Sequence, residues 1–431
     1  MNDNNKISFF SAVMMSMNVM IGAGIFLAVG SMTSVAGSIS FLGWSLIALL
    51  LFPVILGLSK AAYMFPGDGG FYNYCSKGIN PVMGVIAQWV FILGYFGVAA
   101  SLLTVLRNGL TDAFDSNFLK NYPFIFNLLA IAFYSMINLI PVSKIGKLQS
   151  IGTLLKITPL ITVIVIMSFF YKNINLNLAE INNLNMTFST VIFSYLGFEA
   201  CCSIGGLLKG GPQKVGKVVL TAFSVTTVLY TLFHVGLLYI MGEENLKTYG
   251  AMGFPQFLGL PPKIGAAMQV GISFAILFSW ANSVLSLSLA NVSNLFTLAE
   301  NKLILGDRFL TKMNNNQRPF NIVLAYGIIL FGYVTFVKDI NILFALTNLC
   351  IGVALFLTML AVFLTSLKQK NYGQLVVPIL SFGSCAMWFY YSLLQIPHVL
   401  YIVPILAVLS AAVGMYKIQK GKEESIIIDQ A

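Results

Sequence analysis

Met20-Ile21-Gly22-Ala23-Gly24-Ile25-Phe26 lies in the middle of the first long apolar run, and Phe193-Ser194-Tyr195-Leu196-Gly197-Phe198-Glu199 in the middle of the sixth. The sixth run goes on to Gly205-Gly206 and then Gly210-Gly211-Pro212. Glycine inside a helix costs about 1 kcal/mol relative to alanine, and it lets the backbone unwind or approach a ligand closely. If runs one to five and six to ten are two copies of one unit, the interrupted runs occupy matching positions. Five is odd, so the second copy enters the membrane from the opposite side. Glycine-interrupted spans at matching places of an inverted repeat point to a transport site near the bilayer midplane. Close helix packing through small residues is the competing reading of any single Gly-x-Gly.

The composition agrees with a membrane setting. Of the 431 residues 58% are hydrophobic and 9% charged, too few charges to wet the surface of a soluble protein. Each apolar run can cross a ~30 Å hydrocarbon core. The expected spans are 9–31, 40–63, 81–106, 123–141, 149–171, 187–208, 217–241, 264–292, 320–337, 340–367, 373–395 and 398–416. The reading is an all-α membrane protein of about twelve transmembrane helices. Residues 1–171 form repeat 1 (spans 1–5), 187–367 repeat 2 (spans 6–10), 373–416 two accessory helices and 417–431 a short cytoplasmic tail. No alternating ~10-residue strands of an outer-membrane barrel occur. The run starting near Phe9 shows no small-residue cleavage site, so it is read as a retained helix.

The net charge of +10 reads as topology rather than as a nucleic-acid surface. With the N-terminus inside, the inner segments hold Lys6, Lys60, Lys77, Lys144, Lys147, Lys209, Lys214, Lys217, Lys302, Arg308, Lys312, Arg318, Lys368, Lys370, Lys417, Lys420 and Lys422. The outer loops hold Arg107, Lys120, Lys172, Lys247, Lys263 and Lys338. That bias satisfies the positive-inside rule and places both termini in the cytoplasm, in a cell membrane. The expected partners are the lipid bilayer and a small-molecule amino acid or amine, with no nucleic acid; a homodimer stays open. Cys75, Cys201, Cys202, Cys350 and Cys385 show no metal-type spacing, so no metal is expected and the thiols are read as buried and reduced.

Two charges fall inside spans. Lys156 lies about 13 Å deeper than Lys147 at 1.5 Å per residue, and Glu199 is about a dozen residues into span 6. A charge at the bilayer centre costs at least ~2.5–3.5 kcal/mol, so such residues face a cavity or a partner. Lys156 could exchange a proton during a working cycle, or serve as a fixed cation satisfied by carbonyls of an unwound helix; both readings stand. Snorkelling to an interface fits its depth poorly. Glu199 could accept a proton, or hydrogen-bond the loosened backbone of span 1 and hold the two broken helices together.

These segments, taken in order, resemble the amino acid–polyamine–organocation superfamily over almost the whole chain. Ile21-Gly22-Ala23-Gly24-Ile25-Phe26 is similar to that family's span 1 signature, and Phe65-Pro66-Gly67-Asp68-Gly69-Gly70-Phe71-Tyr72 to its loop between spans 2 and 3. Asn138 through Lys147-Leu148-Gln149 to Lys156-Ile157-Thr158-Pro159-Leu160 is similar to its junction of spans 4 and 5. Phe193 to Glu199, followed by Gly211-Pro212, is similar to its span 6 pattern. The nearest likeness is to basic amino acid/polyamine antiporters, including arginine/agmatine exchangers. The resemblance implies two inverted five-helix repeats and a substrate carboxylate held at Ile21, Gly22, Ala23, Gly24 and Ile25, where a helix N-terminus favours an anion. It implies an α-amino group against freed carbonyls around Phe193, Ser194, Leu196 and Gly197, and a side-chain pocket at Gly94 and Tyr95. Phe193 corresponds to the gating aromatic, Glu199 to the span 6 glutamate and Lys156 to the lysine of proton-coupled members. Two departures bear on cationic substrates. Leu287 stands where arginine exchangers carry a stacking tryptophan (Trp280 lies two turns earlier), and Ala99 stands where they carry an asparagine.

The expected function is a secondary transporter for amino acids, working by alternating access as an exchanger or a proton symporter. No cofactor is expected; the proton gradient or a counter-substrate is the coupling partner. A polyamine or organic-cation antiporter is the alternative. A proton-conducting subunit would need a chain of buried charges, and here there is one of each sign. A membrane hydrolase would need catalytic pairs, but His234 and His398 are isolated and no His-Glu-x-x-His occurs. A passive channel gives no reason for matched breaks.

Overall fold

The computed structural model describes residues 6–67, 69–169, 176–393, 405, 408–409 and 411–419. Among them the regular structure is helical, with two isolated β-bridges and no strand. The first five helices are α1 (Phe9–Met20), α2 (Ala23–Ala36), α3 (Leu42–Met64), α4 (Gly70–Gly78) and α5 (Pro81–Phe114). Next come α6 (Asn117–Asn121), α7 (Pro123–Asn138), α8 (Val142–Met167), α9 (Phe188–Tyr195), α10 (Val215–Met241) and α11 (Glu243–Tyr249). The series ends with α12 (Pro262–Glu300), α13 (Asp307–Leu310), α14 (Phe320–Phe336), α15 (Ile340–Lys368) and α16 (Val376–Leu393).

Among the described residues eight helices are long and apolar enough to cross a membrane, and the bent pair α1 and α2 makes a ninth. Two shorter apolar helices, α7 and α14, have 16 and 17 residues. At 1.5 Å per residue they reach only ~24–26 Å, short of the ~30 Å core, and they pack against each other. The protein is therefore an all-α membrane protein. The twelfth expected span, 398–416, lies mostly outside the described residues. Side chains such as Leu49 (71% exposed), Phe274 (69%) and Ile328 (73%) point outward from the middle of their helices. Water would penalise such a belt; hydrocarbon does not.

Several boundaries differ from the hydropathy reading. α5 and α12 continue to Phe114 and Glu300, beyond the expected 106 and 292, because Asn108, Thr111 and Asp112, or Asn294 and Thr297, end the apolar run without ending the helix. α8 starts at Val142, directly after Pro141, so Lys144 and Lys147 ride its first turns instead of a loop. α5 forms the spine, packing against α15, α12 and α4, while α1 packs against α8, α10 and α12. Ahead of α1, Ile7 N–H donates to Leu207 O (2.7 Å) and Lys209 N–H donates to Ile7 O (2.8 Å). This parallel bridge ties the entry of span 1 to the end of span 6.

The contact between α3 and α10 rests on Gly216, where an added Cβ would lie 2.8 Å from Ser59 Cα. Gly216→Val should therefore cost roughly 1–3 kcal/mol through overpacking, read as a lower midpoint of thermal unfolding in detergent. An unchanged midpoint would mean that these helices do not approach so closely.

Candidate functional site

Span 1 breaks where its glycines stand. Ile21 (φ −75°, ψ 66°) and Gly22 (φ −106°, ψ −141°) are not helical, and the two halves are bent by 43°. A broken helix leaves carbonyls and N–H groups without intrahelical partners, and lipid offers none. Here side chains from three other spans supply the donors. Asn18 O accepts from Lys156 Nζ (2.6 Å) and Ser283 Oγ (2.7 Å). Met20 O accepts from the Tyr230 hydroxyl (2.6 Å), and Ile21 O from Ser279 Oγ (3.0 Å).

The other side of the break is arranged differently. α2 starts with no side-chain cap from Gly22, and the first N–H groups of a helix form an electropositive end suited to an anion. The Gly22 N–H itself, expected to be free, donates to Met20 O at 2.7 Å. The tight turn folds it back onto the first half-helix, so the uncapped donors of α2 begin at Ala23, Gly24 and Ile25.

Span 6 breaks opposite. α9 ends at Tyr195, Leu196 is extended (ψ 136°), and Gly197 takes φ +116°, a conformation open in practice to glycine. The chain resumes as a 3-10 segment over Ala200–Leu207. The Glu199 carboxylate accepts from Gly197 N–H (3.1 Å to Oε2) and from the Tyr95 hydroxyl (3.0 Å to Oε1). It thus braces its own segment against α5 and does not bond span 1, as the sequence had suggested it could. Leu196 N–H donates to Phe193 O (3.1 Å), so that carbonyl is engaged, while Ser194 O lies 3.3 Å from the Tyr230 hydroxyl.

The two breaks meet through glycine. A Cβ on Gly24 would stand 2.8 Å from Ser194 Cα, and one on Gly197 would stand 2.8 Å from Met20 N. Either methyl group would push the spans apart. Tyr230 spans the junction by donating to Met20 O while reaching Ser194 O. Ile21, Ile25, Ser194, Leu196 and Glu199 are all buried, so the junction is closed in this conformation.

Lys156 spends all three ammonium donors on neutral acceptors: Asn18 O, Asn18 Oδ1 (2.5 Å) and Ser283 Oγ (2.8 Å). Asn18 passes the chain onward through Nδ2 to Asn282 O (2.9 Å) and Ser286 Oγ (2.6 Å), and Ser286 donates to Gln149 Oε1 (2.9 Å). No ion pair joins Lys156 to Glu199; they sit on different networks. Phe193 packs on Phe344, ring centroids 4.0 Å apart and planes tilted by 39°. Gly94 faces α15, where its Cβ would touch Ile351 and Cys350, and its carbonyl accepts from Thr347 Oγ1 (3.1 Å). Leu287 and Ala99 are buried. His234 accepts from Trp44 Nε1 at 3.0 Å and meets Thr33 and Ser40 through its other nitrogen, a packing role; His398 lies outside the described residues.

The sequence reading missed Asn18, Gln149, Tyr230, Ser279, Ser283 and Ser286. A signal was present for the serines: positions 279, 283 and 286 recur at helical spacing on one face of a span otherwise rich in apolar residues. Asn18 stands just before the break.

The amino acid permease family model matches residues 7–419. The chain is 23% identical over 300 residues to an aspartate–proton symporter of Bacillus subtilis (strain 168), covering 66% of this chain and 57% of that protein. It is 24% identical over 294 residues to an arginine/agmatine antiporter of Chlamydia felis (strain Fe/C-56), covering 62% and 59%. A methylthioribose transporter of Bacillus subtilis (strain 168) is 23% identical over 419 residues, covering 90% of this chain and 88% of that protein. The match thus spans less than two thirds of the symporter and of the antiporter.

The hydroxyl of Tyr230 shares Met20 O with the Gly22 N–H but is the donor that reaches Ser194 O, whereas Asn18 O keeps Lys156 when Ser283 is lost. Tyr230→Phe should therefore cost about 1–3 kcal/mol for the buried Ser194 carbonyl left without its donor, and Ser283→Ala less. The midpoints of thermal unfolding in detergent, compared side by side, check the order; the reverse order would undo this assignment of donors.

Proposed function

The chain belongs to the amino acid permease family, and on that premise we propose that it carries amino acids across a cell membrane by alternating access. The observation that carries this reading is the pair of breaks in spans 1 and 6, pressed together at Gly24 and Ser194 with an uncapped helix start beside them. An α-amino acid presents a carboxylate and an ammonium a few ångströms apart. The N–H groups from Ala23 to Ile25 suit the first. The Leu196 carbonyl suits the second, since the Phe193, Ser194 and Gly197 carbonyls already accept from Leu196 N–H, Tyr230 and Ala200 N–H. Phe193, packed on Phe344, stands as the closing aromatic.

The helix lengths support an inverted repeat of five spans. α5 and α12, the third members of the two halves, have 34 and 39 residues. The fourth members, α7 and α14, have 16 and 17, and the first member of each half is broken. Both copies thus share one sequence of broken, ordinary, long, short and ordinary spans. The site then lies between the copies, which is where rocking of one against the other changes access.

Coupling divides between two residues. Lys156, saturated by neutral acceptors, suits a fixed cation that holds the break of span 1. Glu199, between the Gly197 N–H and the Tyr95 hydroxyl, is the group better placed to carry a proton. The symporter and antiporter among the relatives represent the two modes. Leu287 and Ala99 offer an arginine side chain neither a stacking ring nor an amide, which favours neutral or acidic amino acids over polyamines. Both termini are proposed to be cytoplasmic.

The test is uptake of a panel of labelled amino acids into proteoliposomes, with and without internal substrate and with and without an inward proton gradient. Gradient-driven uptake into empty vesicles establishes symport, and uptake requiring internal substrate establishes exchange. No uptake of any amino acid removes the reading. In the symport case Glu199→Gln should lower gradient-driven uptake by roughly tenfold or more; full gradient-driven uptake by that variant takes Glu199 out of the coupling. Gly24→Val should abolish uptake in either mode, because its side chain occupies the space of Ser194.

A further inference from the structure

At the end of the bundle that bears Lys209, Lys302 and Arg308, a cavity of about 430 Å³ opens between the end of span 6, the last turns of α12 and the loop before α14. Its lining includes Arg318, Glu300, Thr297, Phe296, Val292 and Leu207. Arg318 is only 3% exposed. Its Nε donates to Asn138 O (2.8 Å), while Nη2 is buried with no protein partner. Burial lowers this guanidinium to about 10, so it stays charged at neutral pH. A buried charge without a counter-charge is costly, and no carboxylate among the described residues pairs with it.

Glu300 presents the complementary problem. It is exposed on the same cavity and, among the described residues, pairs with no cation. It also occupies the last position of α12, where the helix dipole disfavours an anion. A simple anion placed in the cavity would satisfy Arg318 and be repelled by Glu300; a simple cation would meet the reverse. A molecule carrying both charges relieves both. Phe296, Val292 and Leu207 offer apolar contact to the remainder, and the volume falls in the ~300–1,000 Å³ range of small-molecule sites.

We propose that this cavity is a second binding site for a zwitterionic amino acid, with its carboxylate on Arg318 and its ammonium on Glu300. It is separate from the junction of spans 1 and 6. It holds an amino acid arriving at or leaving that end of the transporter, and to that extent it rests on the transport reading given above. None of the residues holding the central junction is shared with it.

The experiment is equilibrium binding of L-[3H]serine, L-[3H]aspartate and L-[3H]arginine to the full-length protein in nanodiscs, with stoichiometry read at saturation. Two equivalents per chain are expected for at least one of the three. Arg318→Gln and Glu300→Gln should each reduce two to one, with the affinity of the remaining site unchanged. Arg318 also holds Asn138 O, so its loss could disturb folding; Glu300 makes no buried contact, and its variant carries the test alone. Displacement from the second site by unlabelled amino acid, but by neither propionate nor propylamine, is the expected competition. One equivalent in the wild type, or two in the Glu300→Gln variant, overturns the proposal and leaves the central site standing. Displacement by propionate alone makes it a plain anion site, and preferential displacement by O-phosphoethanolamine makes it a lipid-headgroup site; either overturns the assignment. Binding of none of the three amino acids overturns both this site and the transport reading.

Discussion

A helix that stops inside a membrane must find donors for the carbonyls it strands, and the centre of this protein is organised around that need. Asn18, Met20 and Ile21 turn their oxygens away from α1, and Lys156, Ser283, Tyr230 and Ser279 come from α8, α10 and α12 to meet them. Each unmet carbonyl would cost several kcal/mol in hydrocarbon. The break thus fixes where three other spans lie, since their donors must converge within hydrogen-bond reach of one turn. The positive charge of Lys156 is tolerated for the same reason: it is a fully occupied triple donor, and it is placed where acceptors are crowded.

Glycine makes the second break fit the first. At Gly24 and Gly197 the two backbones come closer than any side chain would permit, and the left-handed φ of Gly197 aims its N–H at Glu199. The carboxylate is held by donors from span 6 and span 3, so its position reports on the relation between those two spans. Lys156 reports on spans 1, 5 and 8. The two ionisable groups therefore read different parts of the bundle, and a proton on one has no direct electrostatic partner in the other.

Much of the architecture was legible because its signals are local. Glycines in the middle of Met20–Phe26 and Phe193–Glu199, and single charges at Lys156 and Glu199, are anomalies of composition inside apolar runs. The breaks and the burial of both charges followed from them. The partners did not follow. Tyr230, Ser279 and Ser283 are unremarkable residues in membrane helices, and they become donors only when distant spans meet. Glu199 finds Tyr95 across 104 positions of sequence, and no local pattern announces that pairing. Helix ends such as Phe114 and Glu300 were placed too early for a related reason: hydropathy marks where lipid stops, and an α-helix in water need not stop there.

The short parallel bridge between Ile7 and the end of span 6 gives the broken spans a mechanical property. A single fastening leaves two rods free to pivot about it; a second, some distance along, makes them one lever. The close approach of Gly197 to Met20 holds α1 and the Ala200–Leu207 segment together at the breaks, and the two backbone hydrogen bonds of Ile7 with Leu207 and Lys209 fasten them at their ends. In this conformation these two half-spans are held at both ends. They part only by breaking a pair of hydrogen bonds worth about 1 kcal/mol each, a latch weak enough to open thermally and strong enough to favour one position.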